Sequence, residues 1–129
     1  MTWTLIALPI VDDDIRQATS YYQNVAPRQA ERFLDNVETV FEDFAHHPYS
    51  STPHPNGLRR HSVKAFPYSV WAYVDEKKRT VVIAGVVHDR RDPRLIDERA
   101  GNVRDGVVIR RTTGQDITSD MVAAALDDN

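Results

Sequence analysis

The sequence predicts an α+β fold in the order β-α-α-β-β-β, with a helical hairpin packed on one face of a mainly antiparallel sheet. Three observations carry it. Apolar residues recur at helical spacing through two consecutive segments before His46. Three runs rich in β-branched and aromatic residues then follow between Gly57 and Arg94, separated by short connections. The hairpin's apolar stripe needs a sheet to cover it, and the sheet comes next in the chain.

Trp3 to Leu8 is a short strand candidate, stopped by Pro9, which has no N–H to give to a ladder. Asp12, Asp13 and Asp14 then open a helix, where a carboxylate can cap free N–H groups and favour the positive end of the dipole. Ile15, Ala18, Tyr22 and Val25 form its apolar face. Pro27 begins a second helix at the position where its missing N–H is harmless. Ala30, Phe33, Leu34, Val37, Val40, Phe41 and Phe44 follow the i, i+3, i+4, i+7 rule, and Glu31, Arg32, Asp35, Glu38, Glu42 and Asp43 mark the solvated face. A short connector makes the two an antiparallel hairpin. His46-His47-Pro48 ends it, and Tyr49 to Asn56 reads as a loop.

Leu58 to Val63, Tyr68 to Asp75 and Thr80 to His88 are the three strands. Ala65-Phe66-Pro67 and Glu76 to Arg79 connect them as an antiparallel meander. After Asp92-Pro93, Leu95 to Arg99 suits a helical turn, and Gly101-Asn102 and Asp105-Gly106 are turn signals. Val107 to Arg111 alternates weakly like a strand, and Thr118-Ser119-Asp120 suits the cap of a last helix, Met121 to Leu126. The domain reading is therefore a folded unit over 1–94 and a C-terminal extension over 95–129, too poor in apolar residues to fold alone.

The 129 residues suit one core, and there is no cysteine for a disulfide or thiolate metal site. No apolar run approaches the length of a membrane span, and MTWTLIALPIVDDD lacks the basic start of a signal peptide, so a cytoplasmic chain is expected. Charge is unevenly spread. Gly57 to Arg94 holds nine cations and four anions, or +5, so a total of −3 leaves −8 elsewhere.

The chemistry-bearing candidates follow from that asymmetry. His88 ends an apolar strand beside Asp89-Arg90-Arg91, where imidazole can move a proton near neutral pH. Arg59, Arg60, His61 and Lys64 are its expected neighbours across the sheet. Arginine forks bind phosphate and stabilise charge on a phosphorane, so this set suits metal-free RNA cleavage through the 2′-OH. The competing reading is a His88 that bonds the chain reversal and arginines that face water. Tyr68, Trp71 and Tyr73 suit base stacking or core packing. The aspartate triplet and His46, His47 and His54 lack the spacing of a metal site. No metal or cofactor is expected.

Over residues 2 to 94 the chain resembles the RelE/ParE superfamily of toxins from type II toxin–antitoxin modules. The resemblance rests on Tyr21-Tyr22, on Ala30-Glu31-Arg32-Phe33-Leu34, on Phe66-Pro67-Tyr68 and on Val87-His88-Asp89-Arg90-Arg91-Asp92-Pro93. It implies one of two activities. RelE-like members cut mRNA in the ribosomal A site, and for that role His88, Arg60, Lys64 and Arg90 would be catalytic. ParE-like members poison DNA gyrase. Asp89 stands where several nucleases carry an aromatic residue, and Phe66-Pro67-Tyr68 and HDRRDP are more ParE-like in wording, so gyrase inhibition is ranked first. Arg59, Arg60, Lys64, Arg90, Arg91 and Arg94 are then the expected target-binding residues. The resemblance also implies a cognate antitoxin, with operator DNA contacted only through it, no membrane partner, and a homodimer as an option. An inactive scaffold that only binds antitoxin is the third reading. Residues 95–129 depart from the superfamily pattern and loosely resemble the start of a small antitoxin.

Overall fold

The computed structural model describes residues 2–104. A five-stranded sheet runs in the order β1-β5-β4-β3-β2, with β1 at Thr4–Ala7, β2 at Thr52–Pro53, β3 at Arg59–Ser62, β4 at Tyr68–Asp75 and β5 at Thr80–His88. Helices α1 (Ile10–Val25) and α2 (Pro27–His46) form the predicted hairpin, and a third helix, α3 (Pro93–Arg104), follows β5. The α+β architecture read from the sequence is the one observed. Among the described strands only β1 pairs in parallel, with Leu5 opposite Val81 and Ala7 opposite Ile83. The other neighbours are antiparallel.

The second helix matches its pattern residue by residue: Ala30, Phe33, Leu34, Val37, Val40, Phe41 and Phe44 are all buried. Phe33 has no exposed surface and lies 5.1 to 5.6 Å, ring to ring, from Tyr22, Phe66 and Tyr68. This aromatic cluster fixes the hairpin on β4, since edge-to-face contacts add to the area buried. The connection between β3 and β4 turns through Ala65, whose φ of 69° is left-handed, and Asn36 of α2 ties it down by donating to the Lys64 carbonyl at 2.9 Å.

Several expectations are corrected. The first helix starts at Ile10, two residues before the aspartates, with Pro9 at its N-cap and no side-chain cap. Asp12 and Asp13 instead sit in the first turn, 2.6 and 3.7 Å from Arg16. Val25 is not core; it is exposed at the helix end, and α1 is buried through Val11, Ile15, Ala18 and Thr19. The loop after α2 contains a short 3₁₀ turn, Pro48–Ser50, and the edge strand β2. Gly101-Asn102 is not a turn. It lies inside α3, which continues for 12 residues because Ile96, Ala100 and Val103 bury a stripe at helical spacing against the sheet. The candidate strand Val107 to Arg111, the turn at Asp105-Gly106 and the helix Met121 to Leu126 lie outside the described residues.

Helix α3 covers the sheet face opposite the hairpin. Tyr68 turns towards Phe33 of the hairpin, whereas Gly85 and Val87 turn towards Ile96 of α3. A Cβ on Gly85 would stand 2.7 Å from Arg99 Nη1 and 3.2 Å from Ile96 Cδ1, so the bare glycine is what lets α3 close on β5.

Candidate functional site

The end of β5 and the turn into α3 carry the chemistry. His88 pairs with Tyr68 in the ladder, and their rings meet at 5.1 Å, nearly perpendicular. Its Nδ1 accepts the Arg90 N–H at 3.1 Å, and its carbonyl accepts the Arg91 N–H at 2.9 Å. An accepting Nδ1 has no proton, so the neutral ring carries its proton on Nε2. The Asp89 N–H donates to the Pro67 carbonyl at 2.8 Å, and the Asp89 carboxylate accepts the buried Ser69 hydroxyl at 2.6 Å. Burial, followed by the neighbouring tyrosines, pushes the Tyr68 hydroxyl above its ordinary pKa, so it is a neutral proton-bearing group here.

A cavity of about 370 Å³ opens on the α3 face. Arg60, Trp71, His54, His88, Asp89 and Arg91 contribute to its walls, over an apolar base that includes Val87 and Ile96. Register explains the grouping. Arg60 is the cross-strand partner of Trp71, and the residue opposite Trp71 on β5 is Gly85. The His54 ring meets Trp71 at 5.0 Å, edge to face. Arg60 reaches Asp89 at 4.0 Å, the outer limit of an ion pair, with over a third of each side chain exposed.

The structure separates the other sequence candidates. Arg59 alternates to the hairpin face and is committed to the edge strand: it donates to the Ser51 hydroxyl, the Ser51 carbonyl and the Tyr49 carbonyl at 2.8 to 3.1 Å, and lies over the Tyr49 ring. Lys64 is exposed in the β3–β4 connection, where its carbonyl is held by α2. Arg94 pairs with Asp92 at 2.7 Å at the start of α3. Arg90 is exposed, and its backbone rather than its side chain holds His88. Of the predicted set, Arg60, His88 and Arg91 share the cavity. Among the described residues, no three histidines or acids gather as a metal-binding group, and no helix is long and apolar enough to cross a membrane.

Trp71 was visible in the sequence as a possible stacking residue, but His54 beside it was not, because the pairing depends on β2 folding back onto β3. Asp92 was also missed. It accepts the Arg94 N–H at 2.9 Å and caps α3, and the Arg94 side chain holds its carboxyl below the usual carboxylate value. The signal was present as Asp92-Pro93, an N-cap residue followed by proline at the first helical position.

A family model described as the ParE toxin of the type II toxin–antitoxin system parDE matches residues 6–93. The chain belongs to the ParE toxin family. Its fold is similar to a solved chain described as the chromosomal ParDE toxin–antitoxin system from P. aeruginosa, with a TM-score of 0.58 and 13% identity, covering 67% of this chain and 95% of that one. No curated protein matches the chain. In this ParE-family chain α3 runs from Pro93 to Arg104, so it continues past the last residue of the family match.

Proposed function

We propose that this ParE-family chain is an active growth-inhibiting toxin that acts on DNA gyrase in the cytoplasm and is neutralised by a cognate antitoxin. The observation that carries the reading is the dispersal of the alternative catalytic set. An endoribonuclease needs proton transfer and charge stabilisation at one phosphorus. His88 and Arg60 border one cavity, but Lys64 and Arg90 do not line it. His88 is also engaged by Tyr68 and the Arg90 N–H, and Asp89 places a carboxylate beside Arg60. This arrangement supports a chain that inhibits by binding. A net charge of −3 likewise favours a limited contact over a long track along ribosomal RNA.

The antitoxin reading has its own support. Tyr21 and Val25 stand one turn apart on α1 and are 58% and 61% exposed. An amphipathic antitoxin segment seated there would bury both. Operator DNA would then be met only through the antitoxin.

The deciding experiment sets gyrase supercoiling and cleavage assays beside mRNA cleavage mapping after induced expression. Inhibition of gyrase that the antitoxin reverses, without mapped mRNA cuts, is expected. Ribosome-dependent cuts with normal supercoiling would overturn the gyrase target, and absence of growth arrest would leave the antitoxin-binding scaffold.

A further inference from the structure

We propose that the cavity between β3, β4 and the start of α3 binds one unstacked nucleotide of a single-stranded nucleic acid, with the base against Trp71 and its phosphate at Arg60 and Arg91. The proposal goes beyond gyrase inhibition and does not require it.

At about 370 Å³ the cavity falls in the range of small-ligand sites and is a recess rather than a track. One wall is the half-buried Trp71 ring, with the His54 ring nearly perpendicular to it at 5.0 Å between centroids. On β5 the position opposite that ring is Gly85, and the space over it is closed by Ile96 and Arg99 of α3, which form the floor beside the ring. Val87 and Ile96 make the base of the recess apolar. A flat aromatic wall over an apolar base suits a nucleobase, because every base offers a π-face to stack.

Charge then sets the orientation. Arg60 and Arg91 are exposed where the recess meets solvent. Asp89 and Asp92 also border it, so the wall is not a uniform cationic surface. Asp92 is engaged by Arg94, and Asp89 is held by the Ser69 hydroxyl while Arg60 stays at 4.0 Å. Carboxylates beside the recess repel a phosphate and accept hydrogen bonds from base amino groups. The Arg60 and Arg91 guanidinium groups attract the phosphate. The phosphate therefore goes to the two arginines, and the base to the Trp71 ring and the apolar lining. A base in a duplex must leave its stack to enter, so a single strand is the preferred form. One or two phosphate contacts are compatible with a chain of net charge −3.

The test uses the full-length chain, four-nucleotide single strands of mixed sequence in DNA and in RNA, and a DNA duplex. Binding is read by anisotropy of labelled strands and by tryptophan fluorescence. The expected result is tryptophan quenching and saturable binding of the single strands in preference to the duplex. The DNA and RNA arms identify which polymer supplies the nucleotide, and preference for either supports the site. Trp71→Ala should weaken binding roughly 5- to 150-fold, the span set by loss of one base stack, while Trp71→Phe should retain most of it. Arg60→Gln should lower the salt dependence by about 0.7 in log–log slope, as expected for one lost phosphate contact on a single strand. Circular dichroism checks that each variant is folded. Retention by Trp71→Phe shows that a planar ring is needed rather than tryptophan's own packing. Absence of single-strand binding to the wild-type chain, equal binding of the duplex, or full affinity in a folded Trp71→Ala variant overturns the proposal. The first of those outcomes would also be the signature of a socket for a peptide side chain.

Discussion

Asp14 and Arg99 stand 85 residues apart in the chain and meet through two hydrogen bonds of 2.6 and 3.1 Å. Their side chains are only 12% and 11% exposed. The pair does more than join α1 to α3. Parallel pairing of β1 with β5 ends at Ala7 opposite Ile83, so β5 runs on without a neighbour on that side. Asp14 accepts the Val86 N–H at 3.0 Å, and Arg99 donates to the Ala84 carbonyl at 3.2 Å. The ion pair thus satisfies an edge donor and an edge acceptor that a longer β1 would have paired.

Removing one partner strands the other. Arg99→Ala leaves a largely buried carboxylate without its cation and should cost up to about 3–5 kcal/mol. Asp14→Asn keeps a side-chain acceptor for the Val86 N–H but loses the ion pair, and should cost less. The double variant Asp14→Asn with Arg99→Met should be more stable than the sum of the single losses, because neither charge is left alone. Urea denaturation of all three variants checks this. Strict additivity would show that the two side chains do not act as a unit.

Gly85 is the second dependency of α3. Gly85→Ala places a methyl 2.7 Å from Arg99 Nη1, and that guanidinium cannot simply swing away while it holds Asp14. Ile96 Cδ1, at 3.2 Å, must also give. Overpacking of this kind typically costs about 1–3 kcal/mol. In an Arg99→Ala background the penalty should shrink, since the closest obstacle is gone. A penalty that stays the same would place the strain at Val87 Cγ2 and Ile96 Cδ1, at 3.1 and 3.2 Å.

How much of this was legible follows from range. Helix α2 was readable because its signal is local: seven apolar residues at helical spacing decide which face is buried. The three-strand meander was readable because each run is bounded by its own connection. A cap among Asp12, Asp13 and Asp14 was expected because capping is the local explanation; Asp12 and Asp13 do lie in the first turn, at the positive end of the dipole, but none caps, and Asp14 has its role through Arg99, on a helix that the sequence shows only weakly. Gly101 argued against a helix there, but Ile96, Ala100 and Val103 outweigh it by burial. Arg59 and Arg60 look alike in the sequence. Strand alternation sends one to clamp β2 and the other to the cavity, and only the register shows which.

Asp92 predicts a pH effect of defined sign. Its carboxyl is held below its ordinary value of 3.8, first by the Arg94 side chain and then by the Arg94 N–H. A depressed pKa contributes stability that is present above the ordinary value and lost as the pH falls through the lower, folded one. The Asp92–Arg94 contribution should therefore be constant at neutral pH and disappear only in acid. Asp92→Ala should lose the cap at neutral pH and differ little from the wild type in acid, where the protonated carboxyl no longer contributes. Amide exchange along α3 measures this locally. Unchanged protection at Leu95 and Ile96 in the variant would mean that packing on β5, and not the cap, fixes the start of the helix.

The last prediction bears on the toxin reading. Arg91 borders the cavity on the α3 face and a second one, of about 200 Å³, that reaches Tyr21 and Asp14. Arg90 is exposed beside it, and its contact with His88 is made by the backbone, which a substitution preserves. Reversing both to glutamate should therefore leave the fold intact, with a stability change under about 0.5 kcal/mol, as is usual for exposed positions. It should nevertheless abolish growth arrest, because a negative patch then faces whichever surface or phosphate the toxin approaches. Antitoxin binding should survive if the antitoxin sits on Tyr21 and Val25 of α1. Growth curves after induced expression and a pull-down with the antitoxin read the two effects separately. A folded Arg90→Glu, Arg91→Glu variant that arrests growth at the wild-type dose would remove this turn from the toxic surface. A variant that loses both activities would place toxin target and antitoxin on one shared face.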